Sequence, residues 1–557
     1  MHSSKFFVFE GIDGSGKCLG RGTPIIMANG SIRRVENIQL SDKIMGDDGK
    51  PRTVLHLYRG RDELFKITPK RGGDSYVVTG NHILCLKVAS GVVAYHKFEN
   101  FDGIIEMSVK EFLHQSNSFQ RQVGGYHVPV NFSEQVVYID PYFLGLWLGD
   151  GTKNRPEISK PDKEILKAVK LEAKTRGLFV RSYHKNDGTT SVTHRLSSKV
   201  GNSSNSFLDD LRYYNLCPKT HKDKTNLKHI PIEYKINSRE VRLQLLAGLL
   251  DTDGYYYKGC FEIIQKQKRL ARDIVFVARS LGFSVSMKST KKYAQTGGGG
   301  IYWRIIISGF CEDIPTRILR KQAEQRKMNK DPLYSAVRIQ PVGMGAYFGF
   351  ELDGNGRFIL GDFAVTHNST CAQWLVSQLQ EHGIPAVYTY EPTKSDVGQH
   401  IRSILKKEIP APDHRTMAML FATDLYMHCL DIQKWLYDGV TVVADRYIWS
   451  TLTYNCTTRE EMQEVIGMHQ GFYIVPDLTL LLSINPSIAL ERKGKRQGEL
   501  FETIEYLHHV ASRYTQVFTD LPFAHLTKEK CIIGVNQPLE VVQREIWEHV
   551  QPLFVSR

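Results

Sequence analysis

The chain has 557 residues, nine cysteines and a formal net charge of +13, and its length predicts three or four domains rather than one. It contains no uninterrupted apolar run long enough to span a bilayer, no N-terminal apolar signal and no C-x-x-C pair. We therefore expect no membrane partner, free thiols and a reducing, cytoplasmic environment.

The first predicted element is a buried β-strand at residues 6–9, which leads into Gly-Ile-Asp-Gly-Ser-Gly-Lys at residues 11–17. A phosphate-binding loop of the form G-x-x-x-x-G-K-[ST] needs Ser or Thr next, because that hydroxyl contacts the magnesium ion of the nucleotide. Residue 18 is Cys, and the missing pair, Ser369-Thr370, precedes a helix-like stretch. Joining Lys17 to Ser369 restores the loop, so we interpret the chain as one protein interrupted by another. The candidate nucleotide-binding residues are Gly11, Asp13, Gly14, Ser15, Gly16, Lys17, Ser369 and Thr370.

Charge also separates the insert from the rest of the chain. Residues 1–17 are neutral and residues 369–557 carry −5, so the insert, residues 18–368, carries +18. A basic insert in a slightly acidic body predicts that the insert binds nucleic acid. A basic surface that serves only solubility fits the charge as well.

The residues at the two joints have the chemistry of self-cleavage. The Cys18 thiol can attack the carbonyl of Lys17, and the Ser369 hydroxyl can then take the acyl group. The Asn368 side chain can cyclise onto its own carbonyl, which the neighbouring His367 could polarise. Together these residues predict a chain that cuts out its own insert.

A hydroxyl and an imidazole, Thr79 and His82, follow a predicted strand farther into the insert. Together with the residues at the two joints, they resemble the motifs of an intein. The matching segments are Cys18-Leu19-Gly20, Ala28-Asn29-Gly30-Ser31, Gly46-Asp47-Asp48-Gly49, Tyr347-Phe348-Gly349-Phe350 and Val365-Thr366-His367-Asn368. The resemblance implies that Thr79 and His82 activate the amino-terminal scissile bond.

The same resemblance implies that His367 assists Asn368 and that Ser369 is the downstream nucleophile. It also implies an all-β splicing (Hint) domain built from residues 18–135 and 335–368. Many inteins carry Asp or His shortly before the final Asn, whereas residues 354–358 read Gly-Asn-Gly-Arg-Phe. The residue that assists the branched intermediate is therefore unassigned.

Two similar apolar stretches in the middle of the insert, residues 143–151 and 246–254, each end in Asp-Gly. Small residues let two such helices pack closely, so that their terminal acids, Asp150 and Asp253, could hold divalent metal at a phosphodiester. The alternative is two buried helices whose terminal Asp residues only cap the following turn.

The pair of motifs resembles a LAGLIDADG homing endonuclease. The resemblance implies an α+β domain over residues 136–334 that acts on double-stranded DNA, with Asp150 and Asp253 as metal-binding acids and Lys228 as an active-site lysine. We expect DNA contacts from residues 288–304 and from a basic cluster that comprises Arg317, Arg320, Lys321, Arg326 and Lys327.

Removal of the insert leaves 206 residues, the size of a single domain. Strand-like runs at residues 386–390, 440–444 and 478–484 alternate with helical segments, which predicts an α/β fold with a parallel sheet. Asp445 follows the second run, where phosphate-loop enzymes hold their metal ion. A basic loop that includes Arg492 and Arg496 follows the third run.

The joined body resembles thymidylate kinase over nearly all of its length. The matching motifs are Phe9-Glu10-Gly11-Ile12-Asp13, Glu391-Pro392, Leu420-Phe421-Ala422-Thr423-Asp424, Asp445-Arg446-Tyr447, Pro476-Asp477-Leu478 and Phe501-Glu502. The resemblance implies a multidomain chain in which residues 1–17 and 369–557 form a P-loop kinase. That kinase would transfer phosphate from ATP to dTMP with Mg²⁺ and would act as a homodimer.

The resemblance also implies a role for each matched residue of the kinase. Lys17 and Ser369 would hold ATP phosphates and magnesium. Asp13 would meet the sugar, and Phe421 would stack on the base. The remaining implied contacts are Arg402 and Arg446 at the acceptor phosphate, Ser450, Tyr454 and Asn455 near the base, and Arg492 and Arg496 at the transferred phosphoryl group.

Two positions depart from the kinase family pattern. Tyr390 stands where Arg usually precedes Glu-Pro, and Leu425 stands where Arg often follows Asp. A related acceptor nucleotide therefore stays open.

Two other functions also stay open. One is a DNA-binding NTPase with a permanent insert, and the other is a splicing-defective chain that only binds DNA.

Overall fold

A computed structural model describes residues 4–11, 18–89, 103–153, 155–184, 192–198, 204–218, 227–293, 299–325, 331–353, 356–367, 371–405, 408–484, 504–535, 537 and 539–554. Among these residues, no helix has both the length and the apolar character that a membrane crossing requires. The strands are β1 (Phe6–Gly11), β2 (Leu19–Gly20), β3 (Pro24–Ile26), β4 (Ile32–Arg34), β5 (Lys43–Met45), β6 (Pro51–Pro69), β7 (Tyr76–Thr79), β8 (Ile83–Val88), β9 (Ile104–Ser108), β10 (Val123–Tyr126), β11 (Glu157–Ser159), β12 (Phe179–His184), β13 (Val192–Ser197), β14 (Gly254–Tyr257), β15 (Cys260–Gln265), β16 (Ser284–Tyr293), β17 (Gly299–Ser308), β18 (Tyr334–Ser335), β19 (Val337–Leu352), β20 (Arg357–Ile359), β21 (Val365–His367), β22 (Ala386–Tyr390), β23 (Thr441–Asp445), β24 (Leu478–Ser483) and β25 (Glu529–Gly534). The α-helices are α1 (Val109–His114), α2 (Asn117–Gln122), α3 (Pro141–Asp150), α4 (Lys163–Thr175), α5 (Ser206–Tyr213), α6 (Ile232–Lys235), α7 (Arg239–Asp253), α8 (Lys268–Ser280), α9 (Cys371–Glu381), α10 (Asp396–Leu405), α11 (His414–Tyr437), α12 (Ile448–Asn455), α13 (Arg459–Met468), α14 (Ile504–Thr519) and α15 (Leu539–Val550).

The host body is built on a five-stranded parallel sheet in the order β22-β23-β1-β24-β25. Helices cover both faces of this sheet, so the apolar residues of β1 are buried on each side. Phe6 and Val8 pack with α11 and α14, whereas Phe7 and Phe9 pack with α9 and α15. The predicted parallel sheet is confirmed, and its central strand precedes the insert while its neighbours follow it.

The splicing part of the insert consists mainly of antiparallel strands. One sheet has the order β19-β2-β7-β6-β5, and a second has the order β18-β10-β8-β21-β20 with β9 beside β8. Two short helices, α1 and α2, interrupt the expected all-β fold because Ser108 and Ser116 cap their N-termini. The expected boundary between residues 334 and 335 falls inside β18, which pairs with β10.

The middle of the insert has the expected α+β composition. Helices α3 and α7 pack face to face, and the sheets β11-β13-β12 and β14-β15-β17-β16 accompany them. Glycine allows the close approach: a Cβ atom on Gly145 would lie 2.2 Å from the Leu245 carbonyl oxygen, and one on Gly248 would lie 2.1 Å from that of Tyr142. Each helix therefore brings its C-terminal end beside that of the other.

We expect Gly145→Ala to separate α3 from α7, because the added methyl group would collide with backbone. The local free energy of unfolding should fall by about 1–3 kcal/mol, the usual cost of overpacking. Hydrogen exchange of residues 141–150 and 239–253 measures this loss. Gly467→Ala in α13 is the matched control, since nothing lies within 4 Å of its Cβ position. Unchanged protection in Gly145→Ala would contradict the packing argument.

Candidate functional site

The amino-terminal splice residue is fixed by the pairing of β2 with β7. Cys18 precedes β2, and its backbone N–H donates to Thr79 Oγ1 at 3.2 Å. The N–H of Thr79 in turn donates to the Cys18 carbonyl at 3.0 Å. Both residues are buried. Because the Cys18 nitrogen belongs to the peptide bond with Lys17, the Thr79 hydroxyl lies at the bond that splicing would break.

His82 is fully buried between the two joints. Its Nε2 atom lies 2.5 Å from Thr366 Oγ1, while its backbone N–H donates to the Thr79 carbonyl at 3.2 Å. The pairing of β8 with β21 brings Thr366 and His367 to this place. The structure therefore puts the His82 imidazole against the C-terminal strand, and its expected action at the amino-terminal bond stays a prediction.

A buried ion cluster surrounds His367. Strand β20 pairs with β21 so that Arg357 lies opposite His367. Arg357 Nε donates to Glu106 Oε1 at 2.7 Å, and Glu106 Oε2 lies 3.7 Å from His367 Nε2. The sequence analysis did not identify Glu106, because this residue is remote from His367 along the chain. The feature that could have indicated it is a single acid in the otherwise apolar strand β9. Asn368 and Ser369 lie outside the described residues.

The two acids expected to bind metal, Asp150 and Asp253, end helices α3 and α7 side by side. Lys160 Nζ lies 2.7 Å from Asp150 Oδ2, and Gln265 Nε2 donates to Asp253 Oδ2 at 2.5 Å. Burial, and then the charge of Asp150, raises the pKa of Asp253 to about 6. A divalent cation would relieve this repulsion, so the two acids fit such an ion. Within the described ranges, no group of three or more His, Cys, Asp or Glu residues could hold a metal.

Two lysines occupy equivalent positions at the ends of α3 and α7. Lys228 Nζ donates to the carbonyls of Leu148, Gly149 and Gly151 at 2.7–3.3 Å. Lys321 Nζ does the same for Leu250, Asp251 and Thr252 at 2.7–3.3 Å. Burial lowers the pKa of each lysine to about 8. We had expected Lys321 to contact DNA phosphates, but it is buried and neutralises a helix C-terminus instead.

The other basic residues of the expected DNA surface differ in their surroundings. The Arg317 guanidinium lies 3.6 Å from the centre of the Tyr142 ring, and Arg320 pairs with Asp162 at 2.6 Å. Lys288 and Arg304 are exposed and face each other across β16 and β17. Arg326 and Lys327 lie outside the described residues.

The nucleotide end of the kinase sheet carries Gly11 and Asp445. A Cβ atom on Gly11 would lie 2.5 Å from the Leu482 carbonyl oxygen, and its φ is 141°, so only glycine fits. Asp445 ends β23 and is in register with Phe9 of β1, which puts the acid at the edge where the loop begins. The remaining candidate residues lie outside the described residues: Asp13, Gly14, Ser15, Gly16, Lys17, Ser369 and Thr370 of the phosphate loop, and Arg492 and Arg496 of the basic loop.

Arg446, which has a φ of 73°, begins the acceptor side of the kinase. Its guanidinium lies 5.3 Å from the centre of the Tyr454 ring, and its Nη1 donates to Ser450 Oγ at 3.3 Å. Ser450 Oγ donates to Glu10 at 2.6 Å. Glu10 is buried, so it holds Ser450 from inside the core. The same burial raises the pKa of its carboxyl group to about 8. Asn455 Nδ2 is buried and has no hydrogen-bond partner among the described residues.

The two departures from the kinase pattern have physical explanations. The Arg402 guanidinium lies 5.1 Å from the centre of the Tyr390 ring and donates to the Pro392 carbonyl, so Tyr390 supports Arg402 by a cation–π contact. Phe421 is half-buried in the cluster that α10 and α11 form. Leu425 is buried in the apolar core.

Three family models match the chain. The thymidylate kinase model matches residues 368–546, the Hom_end-associated Hint model residues 18–126 and the homing endonuclease model residues 229–330. The thymidylate kinase of Leptospira borgpetersenii serovar Hardjo-bovis is 32% identical over 198 residues, which cover 34% of this chain and 86% of that protein. The chain belongs to the thymidylate kinase family.

Two further relatives are similar to parts of this chain. The thymidylate kinase of Legionella pneumophila is 31% identical over 187 residues, 32% of this chain and 85% of that protein. The replicative DNA helicase DnaB of Mycobacterium intracellulare is 24% identical over 415 residues, 70% of this chain and 65% of that protein. Because only 206 residues lie outside the insert, the helicase match must include at least half of the insert. The chain is thus a kinase family member interrupted by Hint and homing endonuclease domains.

We expect Asp253→Asn to stabilise the endonuclease domain at pH 8 when divalent cations are absent. Folding raises the pKa of Asp253 from 3.8 to about 6, so wild-type stability falls as pH rises through this window and stays low above it. The gain should be about 1–3 kcal/mol, measured by hydrogen exchange of α7. Added Mg²⁺ should protect wild-type α7 more than the variant. Destabilisation of the variant at pH 8 would contradict the repulsion.

Proposed function

We propose that this chain is the precursor of a thymidylate kinase and that it excises residues 18–368 by protein splicing. The observation that carries the proposal is the interrupted phosphate loop, whose two halves border residues with intein chemistry. The proposed units are residues 1–17 and 369–557 for the kinase, 18–135 and 335–368 for splicing, and 136–334 for the endonuclease.

Splicing proceeds by acyl transfers. The Cys18 thiolate attacks the Lys17 carbonyl carbon and breaks the bond to the Cys18 nitrogen, which takes up a proton at the place where the Thr79 hydroxyl lies. The Ser369 hydroxyl attacks the resulting thioester and releases the thiol. Asn368 Nδ2 then attacks its own carbonyl carbon and breaks the bond to Ser369. The freed Ser369 amine displaces its own ester oxygen and forms the Lys17–Ser369 amide.

His367 assists the Asn368 step, and the described contacts support a role for Glu106 as its positioning residue. Arg357 fixes one carboxylate oxygen of Glu106 at 2.7 Å, while the other lies within ion-pair distance of the His367 ring. The carboxylate thereby orients the ring. This pair takes the place of the acid or histidine that the sequence lacks near Gly356.

The joined body transfers the γ-phosphate of ATP to dTMP and releases dTDP. Lys17 and Ser369 hold the nucleotide phosphates, and Ser369 with Asp445 holds Mg²⁺, which neutralises charge on the transferring group when bound. Arg492 and Arg496 stabilise the same charge. The acceptor dTMP is bound by Asp13, Arg402, Phe421, Arg446, Ser450, Tyr454 and Asn455.

The spliced kinase acts as a homodimer. Apolar side chains lie exposed on the long helix α11, which supports a partner on this face: Met419, Tyr426, Met427, Leu430 and Tyr437. Patches of this kind mark protein interfaces.

The excised insert is a site-specific endonuclease for double-stranded DNA. The side-by-side acids Asp150 and Asp253, with the lysines that cap both helices, support this activity. Two acids in this arrangement would hold divalent metal at the phosphodiester, while exposed basic side chains such as Lys288 and Arg304 neutralise the backbone.

Intact mass over time tests splicing in the wild type beside a Cys18→Ala, Asn368→Ala double variant. We expect the 63.6 kDa wild type to give a kinase of about 24 kDa and an insert of about 40 kDa, in proportion to 206 and 351 of 557 residues. The double variant should remain intact and have little kinase activity, because a phosphate loop needs consecutive N–H groups followed at once by its helix. High kinase activity of the intact variant would contradict this. DNA-stimulated ATP hydrolysis without chain cleavage would favour the permanent-insert alternative.

We expect Glu106→Gln to slow Asn368 cyclisation by roughly 10–100-fold, below the full range for general acid–base catalysis because the glutamate acts through His367. The branched intermediate should accumulate, whereas amino-terminal cleavage by added thiol should keep its rate. Denaturing gel electrophoresis separates these species, and Glu106→Asp should restore part of the rate. Glu63→Gln, at an exposed position of β6, is the control. Equal slowing of both cleavages by Glu106→Gln would show a structural defect instead.

A further inference from the structure

The host body contacts the splicing part of the insert through a buried polar cluster, the host clamp, formed by Glu351, Leu352, Gln373 and Tyr388. Gln373 Nε2 donates to the Leu352 carbonyl at 2.6 Å and to Glu351 Oε1 at 3.4 Å. Tyr388 OH donates to Glu351 Oε1 at 2.8 Å. Gln373 is 1% exposed and Glu351 is 6% exposed, so water does not compete for these bonds. Two host residues thus bind the last two residues of β19.

Strand β19 also lies beside the amino-terminal nucleophile. Its residue Phe348 pairs with Leu19, and Tyr347 packs against Cys18. Glu351 itself accepts a hydrogen bond from Tyr58 at 3.2 Å, and Tyr58 packs against the same cluster as Cys18. The host clamp therefore holds the C-terminal end of a strand that contacts Cys18 four residues earlier, at Tyr347.

On the host side, the clamp consists of Tyr388 on β22 and Gln373 on α9, a helix that begins two residues after Ser369. Gln373 lies four residues after Ser369 along the chain. The opposite face of α9 packs through Leu375 and Leu379 against Phe7 and Phe9 of β1. These contacts form only when the strand before the insert and the helix after it have joined in one kinase core.

We propose that the folded kinase body positions its own splicing reaction, with Gln373 and Tyr388 as positioning residues for acyl transfer to Ser369. This inference rests on the proposed splicing function. Transfer requires the Ser369 oxygen to reach the thioester at Cys18. Because the clamp attaches α9 to β19, it limits how far the two nucleophiles can move apart. Such confinement is a large part of the rate of intramolecular acyl transfer. The insert accordingly ligates its host efficiently only after the host core has folded.

The test follows Gln373→Ala in the full chain by intact mass over time. We expect ligated kinase to form roughly 10–100-fold more slowly, the penalty for a small misplacement of reacting groups. The ratio of amino-terminal cleavage to ligation should rise, because thioester formation at Cys18 does not need the clamp. Gln378→Ala in the same helix is the matched control, since its side chain bonds only with nearby Glu381 among the described contacts.

Hydrogen exchange of residues 441–445 and 478–483 in the same full-length variants reports whether the kinase sheet has folded. Tyr388→Phe, which removes a single hydroxyl, is the second variant, and we expect a several-fold slower ligation with the sheet protected. If Gln373→Ala unfolds the sheet, the result for Tyr388→Phe decides. Wild-type ligation rates in a variant with a protected sheet overturn the inference. A wild-type chain that never splices overturns the proposed function itself, and this inference with it.

Discussion

The function of the kinase body depends on the covalent continuity of its phosphate loop, which the insert interrupts. A loop of this type binds phosphate through successive backbone N–H groups that must point into one site, and the dipole of the next helix must begin there. Gly11 is fitted against the Leu482 carbonyl with no room for a side chain, so the first half of the loop leaves β1 at one fixed place. Separating Lys17 from Ser369 by 351 residues removes the second half. The kinase activity of this chain is accordingly tied to the chemistry of its insert.

The insert meets this constraint by pairing the strands at its two ends with two consecutive strands, β2 with β7 and β21 with β8. Cys18 leads into β2 and His367 ends β21, and the segment with Thr79 and His82 passes between them. The polar groups at this place are buried, so each needs a partner at close range to offset its desolvation. The ion pair between Glu106 and Arg357 fills that need at His367. A packed core that is otherwise apolar thus keeps a small set of reactive groups in fixed orientation.

Much of the fold was predictable because local chemistry specified it. The alternation of strand-like runs with helical segments predicted the parallel sheet, and the glycine-rich stretches predicted the contact between α3 and α7. Contacts between residues that are remote in sequence were not predictable. Glu106 has no local motif, and Lys321 reads as one more surface charge among basic neighbours, although it is buried against α7. Tyr390 looked like a lost charge, whereas its ring supports Arg402.

The place of β1 in the sheet also affects how the protein is made. Phe6 pairs with Val442, a sequence separation of 436 residues in the precursor, which falls to 85 once the 351-residue insert is removed. At synthesis rates of about 5–20 residues per second, this apolar strand waits roughly 20–90 s for its partner strand to be made. In a host from which the insert is excised, the same strand pairing would have a much lower contact order, which favours faster folding.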